Sequence, residues 1–265
     1  MKAWELRRTG LDGLVLAERP ALVPAGAEVV IGVRAVGLNY RDVAIARGEY
    51  PAGRALPLVP GSDVAGVVRA VGPAARGVRP GDRVVASYVV DWIAGPPEES
   101  RTARRLGGPL DGGLAEEVVV PDHAIVPLPD AVDFRAAATL PVAGVTAWRA
   151  LFEVGRLRPG ATVLVVGTGG VSTFALQLAS AAGARVLVIG GTPAKLERAK
   201  ALGASAVFSR AGDWDRQVLE ATEGRGVDLA IDVAGGTTTA RLATVARAGG
   251  AVVLIGFLES RTITI

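Results

Sequence analysis

Short runs of β-branched residues, separated by Gly and Pro, dominate the first half of the chain. They predict the strands of a mostly β domain. The clearest runs are residues 28–36, 64–71, 83–87 and 116–120. Residues 91–113 lose this pattern and mix Gly, Pro and charged residues, which predicts a long surface loop.

After residue 127 the pattern changes to helical segments that alternate with strands that are apolar throughout. The predicted strands are residues 162–166, 185–189, 206–208, 227–233 and 251–255, and a helical run at 133–150 is interrupted near Pro141. Apolar strands linked by helices belong to a parallel sheet covered on both faces. The sequence therefore predicts an α/β protein, with a β-rich domain at 1–127 and a doubly wound parallel-sheet domain at 128–265.

Composition narrows the classes of protein that fit this organisation. Half of the 265 residues are hydrophobic, enough for a substantial core. No stretch reaches the roughly 18 to 20 consecutive apolar residues of a membrane span, and the charged start is no secretory signal, so we expect a cytoplasmic protein without a membrane partner. The net charge is only +3 and the two signs alternate along the chain, which argues against a nucleic-acid partner.

Cysteine is absent, and histidine occurs once, as His123. Without cysteine there are no disulfides, no thiolate nucleophile and no zinc site with sulfur ligands. A single histidine leaves little for a histidine metal cluster or a Ser-His-Asp triad.

A glycine-rich turn joins the predicted strand 162–166 to a helix. Gly167 lets the chain turn sharply off the strand, and Gly169 lets the backbone approach a pyrophosphate. Ser172 takes the third position of the fingerprint, where a small residue keeps helix and strand close. The helix N-terminus favours negative charge. We therefore expect a dinucleotide at Gly167, Thr168, Gly169, Gly170, Val171 and Ser172.

The tip of the next strand selects the cofactor, because an acidic residue there would bind the ribose hydroxyls and exclude a 2′-phosphate. The sequence has no acid at this point. Gly190 and Gly191 leave room, Thr192 offers a hydroxyl, and Lys195 or Arg198 can pair with a 2′-phosphate. This favours NADP(H), with NAD(H) as the alternative if the segment is only a helix entry with a solvated lysine.

Two later loops are expected at the same edge of the sheet, because ligands of open α/β sheets lie across the carboxyl ends of the strands. The loops follow the predicted strands that end at residues 233 and 255. Their candidate cofactor contacts are Ala234, Gly235, Gly256 and Phe257.

Several motifs, in the right order over nearly the whole chain, resemble those of one family. They are residues 36–42, 60–68, 81–84, 111–116, 137–141, 144–148 and 167–172. The sequence resembles the medium-chain dehydrogenase/reductase superfamily, in its zinc-free branch of quinone oxidoreductase-like and NADP-dependent alcohol dehydrogenase-like proteins. The resemblance implies a GroES-like catalytic domain followed by a Rossmann domain.

The resemblance also implies roles for single residues. Asn39 is expected near the nicotinamide ribose and Thr146 in contact with the cofactor. Tyr40, with Asn39, is the candidate catalytic residue near the substrate, and a packing role for the Tyr40 ring is the alternative. Zinc-dependent members have a cysteine ligand in the segment matching residues 38–42 and a histidine ligand in the segment matching 61–63; this chain has neither, so no zinc is expected.

The chain is shorter than these relatives, which continue beyond the strand at 251–255. We therefore expect a Rossmann domain that is incomplete at its C-terminus, without the strand through which homodimers of the family usually pair. The expected function is hydride transfer between NADP(H) and a small carbonyl, alcohol, quinone or enone. A protein that binds NADP(H) without turnover is the alternative, and the missing ribose-binding acid disfavours a Rossmann-like methyltransferase.

Overall fold

The computed structural model describes residues 1–260 and residue 262. Their contacts divide the chain into two compact units, Met1–Val142 and Ala143–Ile265. The sequence pattern changes earlier, after residue 127, but Ala137 and Ala138 are buried in the first unit against Ala65 and Val85. The domain boundary at residue 127 stays a prediction. No helix within the described part of the chain is both long and apolar enough to cross a membrane.

The first unit contains two antiparallel sheets. A hairpin of β1 (Lys2–Leu6) and β2 (Leu14–Glu18) forms the smaller one. The larger has the order β6-β3-β4-β5-β7 and consists of β3 (Glu28–Gly37), β4 (Asp63–Val71), β5 (Arg83–Ala86), β6 (Glu117–Pro121) and β7 (Ile125–Pro127). The four strands predicted in this half are confirmed.

The register between β3 and β4 brings two polar segments together. Gly37, the last residue of β3, pairs with Asp63, the first residue of β4. Helix α1 (Tyr40–Ala46) begins three residues after β3 ends, with Asn39 as its N-cap. The start of α1 and the start of β4 are therefore neighbours, although they are distant in sequence.

The surface-loop prediction for residues 91–113 is wrong in its second half. The segment contains a short helix, α2 (Glu99–Thr102), and then turns into the protein. Leu106 is fully buried with Val64 and Val84 in the core beneath the larger sheet. An apolar leucine followed by glycines, which allow close packing, accounts for the burial of a segment without regular structure.

Helical turns of two kinds follow the β-rich part. The α-helical pieces are α3 (Phe134–Ala137) and α4 (Val145–Trp148), and wider π-helical turns occupy Leu140–Gly144 and Arg149–Val154. The π-helical turn at Leu140–Gly144 confirms the predicted interruption near Pro141. Proline causes it because it lacks the N–H that a regular helix needs. The run extends to Val154, beyond the predicted end at residue 150.

The second unit contains a parallel sheet with the order β10-β9-β8-β11-β12. Its strands are β8 (Thr162–Val166), β9 (Arg185–Gly190), β10 (Ala206–Ser209), β11 (Val227–Asp232) and β12 (Ala246–Leu254). The helices between them are α5 (Gly170–Ala181), α6 (Pro193–Ala201), α7 (Trp214–Ala221) and α8 (Thr237–Val245). Each predicted strand is present.

Successive residues of β8 belong to different cores, which shows that both faces of the sheet are covered. Val163 and Val165 pack with Ala175 of α5. Leu164 and Val166 pack with residues of α7 and α8, including Trp214 and Leu242. Side chains alternate between the faces of a strand, so helices lie on both faces. The predicted fold, a β-rich unit followed by a doubly wound parallel-sheet unit, is confirmed.

Candidate functional site

The glycine-rich turn leaves β8 through a backbone conformation that favours glycine. Gly167 has φ +84°, in the left-handed region, and its N–H donates to Ile189 O at 2.8 Å. Gly169 is the N-cap of α5, in an extended conformation with φ −80°. No heavy atom lies within 4 Å of the place where a Cβ on Gly169 would stand. The backbone of Gly169 is therefore open to a ligand.

Ser172 fills the third position of the fingerprint between the helix and the strand. It is 2% exposed, and its hydroxyl donates to Val166 O at 2.8 Å. The hydrogen bond satisfies the buried hydroxyl, which an apolar environment would otherwise penalise. The first turn of α5 is thus held close to the end of β8.

A cavity of about 110 Å³ lies beside the glycine-rich turn. Its lining includes Gly167 and Thr168 from the turn and Lys195 and Arg198 from α6. Both cations are exposed, and neither forms an ion pair within residues 1–260. Lys200, on the same helix, pairs with Glu197 at 2.9 Å. The structure therefore brings the predicted phosphate-binding cations to the predicted dinucleotide turn.

The residues before these cations have more specific local roles than the sequence indicated. The Thr192 hydroxyl accepts from Lys195 N at 3.4 Å and caps α6, and Pro193 occupies the first helical turn. A Cβ on Gly190 would stand 2.6 Å from Leu196 Cδ2, so a side chain there would displace the Leu196 side chain of α6. The corresponding position on Gly191 is free of contacts. Of the two glycines, Gly191 has the open space around it, and the room expected for the cofactor at both stays a prediction.

Arg210 lies at the same edge of the sheet and is not among the site residues that were predicted from the sequence. Its N–H donates to Gly190 O at 2.9 Å, which places it just after β10, beside the tip of β9. Its guanidinium donates to Glu259 Oε2 at 2.9 Å. The available signal was its position two residues after the predicted strand 206–208.

Asp232 organises the loop after β11, and it too was missed. It is fully buried, and its Oδ1 accepts from the N–H groups of Ala234 and Gly235 at 2.8 and 3.1 Å. Thr239 donates to the other oxygen at 2.6 Å. An aspartate in an otherwise apolar strand could have indicated this role, because buried carboxylates need partners.

The loop after β12 lies against the loop after β11. A Cβ on Gly256 would stand 2.3 Å from Val233 O, and Ser260 forms a bridge with Gly235. Phe257 is 38% exposed. The predicted contacts at Ala234, Gly235, Gly256 and Phe257 are therefore neighbours.

Thr146, the predicted contact in the entering helix, lies on α4. The segment that carries it packs on the first turn of α5, where a Cβ on Gly170 would stand 3.4 Å from Ala143 Cβ. Gly170 and Val171, also predicted contacts, are the first residues of α5.

Asn39 and Tyr40 lie at the start of α1 in the first unit. Asn39 Nδ2 donates to Asp63 Oδ2 at 2.9 Å, and its backbone N–H donates to Asp42 Oδ2 at 2.9 Å. Tyr40 is 52% exposed. Two carboxylates therefore hold Asn39, and sequence reasoning identified neither as part of the site.

The two carboxylates have different surroundings. Asp42 accepts from the Ser62 hydroxyl at 2.6 Å and lies 3.8 Å from Arg41 Nη1. Asp63 is 1% exposed and accepts only from Asn39 Nδ2 and, at 2.9 Å, from Val142 N among the described residues. Burial raises the pKa of Asp63 to about 7, against the lowering effect of the hydrogen bonds from Asn39 and Val142.

Arg41 joins this cluster to the buried end of the segment 91–113. Its guanidinium donates to Ser62 Oγ, to Leu106 O at 3.0 Å and to Gly108 O at 3.2 Å. It also lies 4.8 Å from the centre of the Tyr88 ring, a cation–π distance. Within the part of the chain that the structure describes, no group of three or more His, Cys, Asp or Glu residues is placed to hold a metal ion.

Family models match both parts of the chain. The model for the alcohol dehydrogenase GroES-like domain matches residues 25–130, and the model for zinc-binding dehydrogenases matches residues 170–265.

Curated proteins and solved structures agree with these matches. The chain is 42% identical to a zinc-type alcohol dehydrogenase-like protein of Schizosaccharomyces pombe, over 89% of this chain and 70% of that protein. It is 31% identical to human quinone oxidoreductase, over 88% of this chain and 66% of that protein. A crystal structure of a putative alcohol dehydrogenase from Sinorhizobium meliloti, 39% identical, superposes with a TM-score of 0.91 over 99% of this chain and 78% of that one. The chain therefore belongs to the medium-chain dehydrogenase/reductase superfamily of nicotinamide-dependent oxidoreductases.

Proposed function

We propose that the protein is a zinc-independent oxidoreductase that uses NADP(H) to reduce or oxidise a small carbonyl, alcohol, quinone or enone. One observation carries the choice of cofactor: Lys195 and Arg198 line the cavity beside the glycine-rich turn without ion pairs in the described chain. A 2′-phosphate is a dianion that such cations bind, and no acidic residue stands at the tip of β9 to repel it.

The cofactor fits the residues of the second unit. The open backbone at Gly169 and the backbone amides of the first turn of α5 would hold the pyrophosphate. Thr168, Gly191 and Lys195 would surround the adenosine end. Thr146 and the two loops that contain Ala234, Gly235, Gly256 and Phe257 are proposed to contact the remainder.

The bound nicotinamide supplies or accepts a hydride at the substrate carbon. The contribution of the chain is to position the reactants and to stabilise the charge that develops on the substrate oxygen. Tyr40, exposed at the start of α1, is the proposed hydrogen-bond donor to that oxygen. Asn39 is proposed to bind the nicotinamide ribose.

The residues present do not fit a catalytic zinc ion. The chain has no cysteine. Ser62, in the segment that matches the histidine ligand of zinc-dependent members, instead hydrogen-bonds to Asp42 and accepts from the Arg41 guanidinium. A positive guanidinium on that oxygen opposes the binding of a cation.

Cofactor choice is tested by titrating NADPH and NADH against the fluorescence of the four tryptophans. We expect tighter binding of NADPH. Lys195→Glu should weaken the binding of NADPH by about 10-fold or more, since a charged hydrogen bond contributes roughly 1.5–3 kcal/mol. The binding of NADH should be nearly unchanged. Lys200→Glu, with the same charge change on the same helix, is the matched control and should keep the preference.

Turnover is tested with a panel of quinones, enones, aldehydes and alcohols. Oxidation of NADPH by any acceptor, or reduction of NADP⁺ by any alcohol, supports the proposed reaction. Tighter binding of NADH would overturn the cofactor assignment. Binding of NADPH without turnover on the whole panel would favour a cofactor-binding protein instead.

A further inference from the structure

The amide of Asn39 faces a buried carboxylate, Asp63, that forms no ion pair with the residues that the structure describes. Asp42, the neighbouring carboxylate, has Arg41 at 3.8 Å and the Ser62 hydroxyl at 2.6 Å. Asp63 has two neutral N–H donors, Asn39 Nδ2 and Val142 N, both at 2.9 Å. The two acidic groups at the start of α1 and β4 are therefore not equivalent.

An ionised carboxylate only accepts hydrogen bonds, so it selects one orientation of the Asn39 amide. The NH2 group must turn toward Asp63, so the carbonyl oxygen of Asn39 faces the start of α1, where it caps the backbone N–H of Asp42 and can accept a second hydrogen bond from a ligand. A hydroxyl group, such as those of a ribose, is the ligand group that this oxygen recognises.

We propose that Asp63 is a positioning residue that fixes the Asn39 amide with its oxygen toward the ligand, and that uptake of a proton by Asp63 releases this orientation. Protonated Asp63 becomes a donor through its own O–H. The Asn39 oxygen can then turn toward Asp63, and the NH2 group turns toward the ligand. The inference rests on the proposed function only in taking that ligand to be the nicotinamide ribose.

Burial, more than the surrounding charges, places this change near neutral pH. Burial raises the pKa of Asp63 to about 7, although the hydrogen bonds from Asn39 and Val142 lower it. The nearby charged groups act in opposite directions: Asp42 raises the pKa and Arg41 lowers it. Asn39 should consequently be fixed above about pH 7 and released below it.

Asn39 is the only asparagine in the chain, which allows a direct test. Selective ¹⁵N labelling of asparagine gives a single side-chain NH2 pair in the NMR spectrum of the wild-type protein, without cofactor. We expect the shifts of this pair to titrate with a midpoint near pH 7. Ser62→Ala, which alters the partner of Asp42 but not Asp63, should show the same titration. An NH2 pair that does not change between pH 5.5 and 8.5 would overturn the proposal.

The kinetic test compares wild type with Asp63→Asn. In wild type, the KM for NADPH should fall roughly 5- to 10-fold between pH 6 and 8, which corresponds to one hydrogen bond, with a smaller change in kcat. Asp63→Asn cannot ionise, so its KM should stay high and lose this pH dependence, whereas Ser62→Ala should keep it. If Asp63→Asn keeps the wild-type profile, the positioning role is wrong. If no variant uses NADPH but the NMR pair titrates, the proposed function fails and the positioning role stands.

Discussion

At the scale of single residues, two glycines of the same turn have different physical reasons to be glycine. Gly167 has φ +84°, which residues with a side chain rarely adopt, and a Cβ would stand 3.3 Å from Ser172 Oγ. Gly169 has an ordinary backbone conformation and open space around it. The fold itself requires glycine at position 167, whereas only a ligand would require it at position 169.

Alanine substitutions separate these two reasons. Gly167→Ala should lower the free energy of unfolding by about 1–2 kcal/mol, the cost of a left-handed residue with a Cβ. Gly169→Ala should leave the free energy of unfolding unchanged to within about 0.5 kcal/mol. It should weaken the binding of NADPH at least about 10-fold, because the added methyl group keeps the ligand away from the backbone. Urea unfolding and fluorescence titration measure the two effects. Unchanged NADPH affinity in Gly169→Ala would show that the pyrophosphate does not bind at this turn.

At the scale of elements, one arginine connects the helices α7 and α8. Arg241 of α8 lies 4.3 Å from the centre of the Trp214 ring and donates to both carboxylate oxygens of Asp215, at 2.8 and 3.1 Å. Trp214 is buried, and the hydrogen bond from Arg241 holds the pKa of Asp215 below its usual range. The contact combines a bidentate ion pair with a cation–π interaction, the geometry in which an arginine contributes most.

Arg241→Ala should therefore lower the free energy of unfolding by about 1–2 kcal/mol. Arg216→Ala is the control, because Arg216 lies on α7 and pairs with Glu220 on the same exposed face. Exposed pairs one helical turn apart contribute little, so we expect a change below about 0.5 kcal/mol. Equal effects of the two variants in urea unfolding would show that Arg241 acts only as a surface charge.

The elements that the sequence predicted are those with a strong apolar pattern. The strands β3 to β6 and β8 to β12 follow from runs of β-branched residues, since burial on one or both faces determines such runs. The hairpin of β1 and β2 was missed because exposed Trp4 and Leu16 blur its pattern. The buried end of the segment 91–113 was missed because the carbonyl oxygens of Leu106 and Gly108 accept from a distant side chain, Arg41, which no periodicity reveals.

The candidate site likewise has one part that could be predicted from the sequence and one part that could not. The glycine-rich turn could be predicted because its residues are adjacent in sequence and follow a strand. The contact between Asn39 and Asp63 could not, because it depends on the register that pairs Gly37 with Asp63 across two strands. Sequence patterns predict which face of a strand is buried, but they do not predict strand order or register.

At the scale of the whole molecule, two kinds of carboxyl group give the stability opposite dependences on pH. The hydrogen bond from Arg241 lowers the pKa of Asp215, and the hydroxyls of Thr237 and Thr238, with Arg210, lower that of Glu259. Groups of this kind stabilise the fold above their unfolded pKa and lose that effect as the pH falls through the folded value. Asp63, whose pKa is raised to about 7, acts in the other direction.

Because folded Asp63 holds its proton more tightly than the unfolded chain, its contribution to stability is fully present below pH 3.8 and is lost as the pH rises toward about 7. The difference between the folded and unfolded pKa values of Asp63 corresponds to about 4 kcal/mol in the free energy of unfolding. Asp63→Asn has no proton to lose, so its free energy of unfolding should rise relative to wild type by several kcal/mol between pH 4 and pH 8. Ser62→Ala should differ from wild type by a constant amount. Urea unfolding across this range measures the difference, and parallel curves for wild type and Asp63→Asn would mean that Asp63 is already ionised throughout.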